Sequence, residues 1–271
     1  MVSTAPAAPP LRRVHGLVLA CHLGPTVAMT GLSAALVLAF GGTGGAAARL
    51  AVCVLAGQLS IGWSNDARDA AADTEAGRTA KPIVRGLVDA RTVGRAAGIA
   101  LVACVVLSVA LLAPVAGGWH LLAVGSAWLY NLWLKDTIAS PVPYALAFAA
   151  VPVIVSSVVD PAEPLPVGLA AVGALVGVAV HLANTAGEVS SDRLVGRGGL
   201  ACAIGSGWAR ALTVVLLAAA AAVLHVLVDP GPVGGLVLGG LVGLAAAAAT
   251  SQSGRWLVPA GLTVTGGGVV A

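Results

Sequence analysis

The chain has 271 residues, 58% of them hydrophobic and only 9% charged, against the roughly one-quarter charged that is usual in soluble proteins. This composition belongs to a membrane protein and excludes a disordered tail, a coiled coil and a disulfide scaffold, because 36 Gly and 15 Pro sit within apolar text and the four Cys are thinly spread. A net charge of +3 is too small to imply a nucleic-acid partner.

A bilayer core takes about 20 apolar residues per helix, and that window predicts spans near 14–40, 46–64, 94–114, 117–134, 139–159, 165–183, 207–228, 231–250 and 256–271. The expected fold is therefore all-α, an integral membrane bundle of about nine transmembrane helices. Residues 1–13 are read as a cytoplasmic tail and 14–271 as a single transmembrane domain. The apolar run after Arg12-Arg13 is about 27 residues long, beyond the 7–15 of a signal-peptide core, and is taken as the first span. With only 4% aromatics, close helix contact through small residues is the expected packing rule. Turn signals such as Gly41-Gly42, Asp160-Pro161 and Asp229-Pro230-Gly231 separate the spans.

Lys and Arg collect in cytoplasmic loops. With a cytoplasmic N-terminus, nine spans leave Arg49 alone of the 14 basic residues on the outer side. The cysteines Cys21, Cys53, Cys104 and Cys202 occur singly, with no C-x-x-C pair, and read as small buried hydrophobes.

Two polar segments interrupt this apolar text. Residues 65–95 hold six bases and five acids, and begin abruptly at the end of a helix. If that helix continues, Asn65, Asp69 and Asp73 are spaced i, i+4, i+8 and face one way, with Asp66 about 100° off. Asn184, Glu188 and Asp192 repeat the spacing at the same end of a later span. Two facing rows of carboxylates repel unless a cation lies between them. Mg²⁺ is commonly held by a few carboxylates together with substrate phosphates, so the implied ligand is a phosphate-bearing substrate with Mg²⁺. Solvated surface charge is the bland alternative for one such stripe, but ionisable groups beside hydrocarbon are costly and point to function. Arg78, Lys81, Arg85, Lys135, Arg193 and Arg197 follow the acids and would supplement the metal against a diphosphate. About half of them would be plain interfacial anchors.

In their order these elements resemble the UbiA superfamily of intramembrane prenyltransferases. Asn65-Asp66-x-x-Asp69-x-x-x-Asp73 is similar to its first Asp-rich motif, and Arg78-Thr-Ala-Lys81-Pro82-Ile83-Val-Arg-Gly86 to the segment that follows. Tyr130-Asn-Leu-Trp-Leu-Lys135 resembles a tyrosine and lysine element after the fourth helix, and Glu188-x-x-x-Asp192-Arg193-x-x-Gly196 the second motif. Two positions depart from the pattern, Glu188 standing for the usual Asp and Thr185 for a further acid. The resemblance implies nine helices around a central cavity capped by the motif loops. It also implies one Mg²⁺ on Asn65, Asp69 and Asp73 and another on Glu188 and Asp192, and a diphosphate contacted by Lys81, Tyr130, Lys135 and Arg193. The expected reaction is Mg²⁺-dependent transfer of a prenyl group from an isoprenoid diphosphate to an aromatic or other lipophilic acceptor in the membrane. Cyclisation of the prenyl chain, or transport or binding without turnover, are the alternatives.

Trp63, Trp128, Tyr130 and Trp133 stand near the same level, either as π-faces for an allylic cation or as interfacial anchors. The Cys21-His22-Leu23-Gly24-Pro25 run resembles the family's entrance segment, so His22 is read either as an acceptor contact or as a hydrogen-bonded buried histidine. His181 has the same two readings. His120 and His225 are expected toward the outer side, away from the site.

Overall fold

The computed structural model describes residues 10–163, 166–194 and 196–227, and these are helical wherever they are regular. Among the described residues five helices are long and apolar enough to cross a membrane, or six when a bent pair counts as one span. The expected spans at 231–250 and 256–271 lie outside the described residues.

The first span differs from the single helix expected over 14–40. It is two helices, α1 (Pro10–Ala20) and α2 (Leu23–Ala39), bent by 61° at Cys21-His22. The cause is local. Pro25 has no N–H to give to the Cys21 carbonyl one turn back. Thr26 Oγ1 donates to that carbonyl instead, at 2.7 Å. His22 takes φ 56° and ψ 60°.

Helix α3 runs unbroken from Gly44 to Glu75, its first turn capped by Thr43, whose hydroxyl accepts from Ala46 N. Its 32 residues span about 48 Å at 1.5 Å per residue, well past a hydrocarbon core of about 30 Å. The last turns, which carry the acids, thus continue one rigid rod. Next come α4 (Ala90–Leu111), capped by Asp89, and α5 (Pro114–Leu129), which widens into a π-helical turn over Tyr130–Leu134. Then follow α6 (Pro141–Val159), α7 (Val167–Ala186), the short α8 (Val189–Leu194) and α9 (Leu200–Ile204), and α10 (Ser206–Leu227).

Successive long helices lie side by side: α2 on α3, α3 on α4, α5 on α6, α6 on α7 and α7 on α10, with α2 also touching α6. Val37, Leu50, Ile154 and Val155 close α2, α3 and α6 on one side, and Val172, Leu217 and Leu224 join α7 to α10. Contact through small residues holds between α6 and α7, where Gly173 and Gly177 meet the backbone of Phe148 and Tyr144. Helix α4 turns Ile99, Val102 and Val109 outward, each more than 60% exposed, a surface suited to lipid. Between α2, α3, α5, α6 and α7 lies a cavity of about 680 Å³.

Candidate functional site

The cavity has two chemically distinct ends. Met29, Leu32, Leu50, Val54, Phe148 and Val151 line an apolar part. Asn65, Asp69, Arg78, Lys81, Tyr130, Lys135, Asn184, Glu188, Asp192 and Arg197 line the polar part. Eight of the nine sequence-predicted site residues therefore bear on one place, Asp73 from just behind the lining. Arg193 does not: it is exposed, and its Nε donates to the Cys202 carbonyl at 3.2 Å, tying α8 to α9.

The first stripe forms as spacing predicts, because α3 stays helical through Glu75. Asp66, Asp69 and Asp73 are all buried, at 2%, 3% and 1% exposure. Asp66 belongs with them: it lies about 100° from Asn65 but only about 20° from Asp73, seven residues on. Measuring from Asn65 alone leaves it out.

The second stripe is not one helix. Helix α7 ends at Ala186 and α8 begins at Val189, so Glu188 sits in the turn between them. Asn184, Glu188 and Asp192 still reach the cavity, but from three successive pieces of chain.

Two equivalent turns put the arginines in place. After Asp73, Gly77 takes φ 62° and its N–H bonds to Thr74 O, while Arg78 N bonds back to Asp73 O at 2.9 Å. This is a Schellman closure, with a left-handed glycine ending the helix. After Asp192, Gly196 takes φ 71° with its N–H on Arg193 O, and Arg197 N bonds to Asp192 O at 2.8 Å. The signal D-x-x-x-G-R occurs at both places, 73–78 and 192–197, and marks Arg197 rather than Arg193 as the counterpart of Arg78.

Each arginine then reaches across to the other motif. Arg78 holds Asp73 at 3.0 Å and Asp192 at 2.9 Å, with Glu188 at 4.0 Å. Arg197 bonds Asp69 and stands 3.7 Å from the Asp136 carboxylate. Burial works against the charge on Arg78, but Glu188, Asp73 and Asp192 outweigh it and hold the guanidinium above its ordinary value. Arg197 is raised in the same way, burial being overcome by Asp69, Asp136 and Asp192.

Lys135 donates to Asn65 Oδ1 at 3.0 Å and also to Asp69. The π turn makes this possible. In an α-helix, residues five apart diverge by about 140°. Lys135 N bonds instead to Tyr130 O, the i→i+5 pattern that absorbs an extra residue and keeps both side chains on the cavity wall. Tyr130 is itself buried, its ring edge-on to Tyr144 at 5.2 Å and to His181 at 5.7 Å. Lys81 donates to Asp66 Oδ1 at 2.6 Å and stands 4.0 Å from Asp73.

The aromatics and His181 divide between the readings open to them, while His120 falls elsewhere than expected. Trp63 donates to Leu17 O and Trp128 to Ser60 Oγ, while Trp133 is 68% exposed, so of the four aromatics only Tyr130 lines the cavity. His120, expected far from the site, is buried in the cavity wall with Nδ1 2.8 Å from Ser108 Oγ. His181 is likewise buried, 3.0 Å from Ser140 Oγ through Nε2.

Among the described residues no three His, Cys, Asp or Glu side chains are grouped closely enough to enclose a metal ion. The carboxylates stand instead in pairs about shared cations, as Asp73 and Asp192 do across the two motifs on Arg78. Mg²⁺ is usually satisfied by one or two carboxylates together with substrate phosphates and water. This all-oxygen donor set suits that ion in company with a diphosphate, and does not suit a closed protein cage.

A model of the UbiA prenyltransferase family matches residues 17–260 of the chain. No curated protein and no solved structure matches it.

Proposed function

The chain belongs to the UbiA prenyltransferase family, and from that premise we propose that it transfers the prenyl group of an isoprenoid diphosphate to an aromatic or other lipophilic acceptor within the membrane, with Mg²⁺. One observation carries the reading. A single guanidinium, Arg78, joins Asp73 of the first motif to Asp192 of the second at the polar end of an otherwise apolar cavity.

The diphosphate binds at that polar end. Asn65, Asp69, Asp73, Glu188 and Asp192 would hold Mg²⁺, which when bound offsets the negative charge that builds on the leaving group. Arg78, Lys81, Lys135 and Arg197 are now shared among Asp66, Asp69, Asp73 and Asp192. When a diphosphate arrives these cations can exchange a carboxylate oxygen for a phosphate oxygen without leaving the cavity wall. Arginine suits this exchange because its planar fork grips two oxygens at once. Tyr130, which lines the polar part, would orient the bond that breaks.

The prenyl tail occupies the apolar part, among Leu50, Val54, Phe148 and Val151. These walls exclude water, so the allylic carbon reaches the acceptor before hydrolysis intervenes. The motif loops, rich in Arg and Lys, face the cytoplasm by the positive-inside rule.

The test is incubation of membranes containing the protein with labelled prenyl diphosphates, Mg²⁺ and a panel of aromatic acceptors. Product that requires an acceptor supports transfer. Hydrocarbon formed without one indicates cyclisation, and no consumption removes the enzymatic reading.

A further inference from the structure

Asp66 is the one buried carboxylate of the first stripe to which no Mg²⁺ is assigned, and it meets the diphosphate site only through the shared Lys81. It is 2% exposed and faces away from Asn65, and its Oδ1 accepts from Lys81 Nζ at 2.6 Å and meets His22 Nε2 at 2.8 Å. A buried carboxylate with a lysine already on it has no structural need of a histidine. The histidine also sits on an unusual backbone: His22 is the only non-glycine with positive φ among the described residues. That conformation is costly for most side chains and gathers at functional positions.

The surroundings are built to keep His22 there. Gly62 of α3 lies against the backbone of Cys21, where a Cβ would stand 2.5 Å from the carbonyl oxygen. Gly62 and Asp66 are one turn apart on the same face of α3. The bend between α1 and α2 can therefore press onto α3 at Gly62 and deliver the imidazole to Asp66. Trp63 fastens the same contact by donating to Leu17 O at 2.8 Å.

The hydrogen bonds also set the tautomer. A carboxylate oxygen only accepts, so the 2.8 Å contact with Asp66 Oδ1 assigns the proton to Nε2, while Lys81 Nζ, 3.5 Å from that same nitrogen, gives its short bond to Asp66 Oδ1 instead. Nδ1 keeps its lone pair, and no group among the described residues bonds to it. His22 lines the cavity with 36% of its side chain exposed, and its ring is 3.5 Å from Lys81 Nζ at the polar end.

We infer that His22, oriented by Asp66, is the general base of the transfer and that the acceptor it serves carries a hydroxyl group. The inference rests on the transfer reading above. In the step, the hydroxyl proton passes to His22 Nδ1, and the electron pair so released supplies the acceptor's new bond to the prenyl C1. The C1–O bond to the diphosphate breaks, its pair leaving with the diphosphate. The imidazolium that forms is stabilised by the Asp66 carboxylate, the logic of an oriented base backed by an acid. Proton transfer of this kind contributes about 100-fold or more to rate.

The test compares wild type with His22→Asn, a residue that accepts the left-handed backbone but is no base. Each is given farnesyl or geranylgeranyl diphosphate with Mg²⁺ and either phenol or the far more acidic 4-nitrophenol. Because 4-nitrophenol needs little help to ionise, the substitution should lower transfer to phenol by about 100-fold and transfer to 4-nitrophenol by less than about 10-fold. A His22→Gly variant, suited to the same φ, is read the same way should the first fail to insert. Equal losses on both phenols, or no loss on either, overturn the base assignment and leave the transfer reading standing. Wild type that releases diphosphate but prenylates neither phenol overturns the hydroxyl-acceptor assignment. Wild type that consumes no prenyl diphosphate overturns the transfer reading and this inference with it.

Discussion

Arg78 Nη2 lies 2.9 Å from Asp192 Oδ1, a partner 114 positions away, while Nη1 of the same guanidinium holds Asp73 at 3.0 Å. The two acid motifs, which would repel each other if left bare, are thus joined by a cation, which in the proposed function a diphosphate and its metal would in part replace. Arg197 makes the reciprocal reach, from the second motif to Asp69 in the first.

Replacing Arg78 with Gln should therefore weaken substrate capture before it harms the chemistry. KM for the prenyl diphosphate is expected to rise by at least about 10-fold, the cost of roughly one charge-assisted hydrogen bond. Arg78→Lys should recover little of this, since an ammonium cannot span two carboxylates as a planar fork does. Initial rates across a range of prenyl diphosphate concentrations check both variants.

The π turn makes a sharper prediction than a point substitution. Inserting one alanine after Leu132 adds a residue that the π turn does not absorb, which swings Lys135 by about 100° from its present direction. Activity should fall as far as in Lys135→Ala, while the far-ultraviolet circular dichroism keeps its helical strength. An insertion variant as active as wild type would show that Lys135 has no role fixed by this geometry.

Gly62 carries the packing of the bend on α3. A leucine there forces Cys21 away from the helix, and overpacking of this kind costs about 1–3 kcal/mol. The melting temperature in detergent should drop, and the loss of activity should match that of His22→Asn, since the imidazole moves with the bend.

Asp89 tests the start of α4 independently of the site. Its Oδ1 accepts from Thr92 N at 2.8 Å and its Oδ2 from the Thr92 hydroxyl at 2.7 Å, and these bonds hold its carboxyl below the usual range. A carboxyl lowered by folding stabilises the native state above its unfolded value, and that contribution is lost as pH falls through the folded one. Asp89→Ala should cost about 1 kcal/mol near neutral pH, as helix caps generally do. Thermal melts should show the difference shrinking to nothing in acid.

The membrane bundle and the first acid stripe were legible in the sequence because both depend on local order. Apolar runs of bilayer length and an i, i+4, i+8 spacing hold good wherever the helix continues, and α3 continues to Glu75. The second stripe needed the same continuity, and Gly187 and Glu188 break it. The basic partners depend on how the chain turns after each acid, which a spacing rule along one helix does not contain. Arg193 follows Asp192 directly and points to Cys202, whereas Arg197, one left-handed glycine later, returns to the site. The bend at Cys21-His22 lay hidden inside one uninterrupted apolar run, with Pro25 as its only mark. His120 was placed by its distance along the chain from the acids, but the cavity extends along α5 to meet it.

In the proposed function the two motifs act together on one magnesium-bridged diphosphate. The most direct test is binding of radiolabelled farnesyl diphosphate to the purified protein, with and without Mg²⁺, in wild type, Asp69→Ala and Asp192→Ala. Saturable binding at one site per chain is expected, requiring Mg²⁺ and lost in either variant. Binding that ignores Mg²⁺, or that survives unchanged when either aspartate is removed, would contradict it.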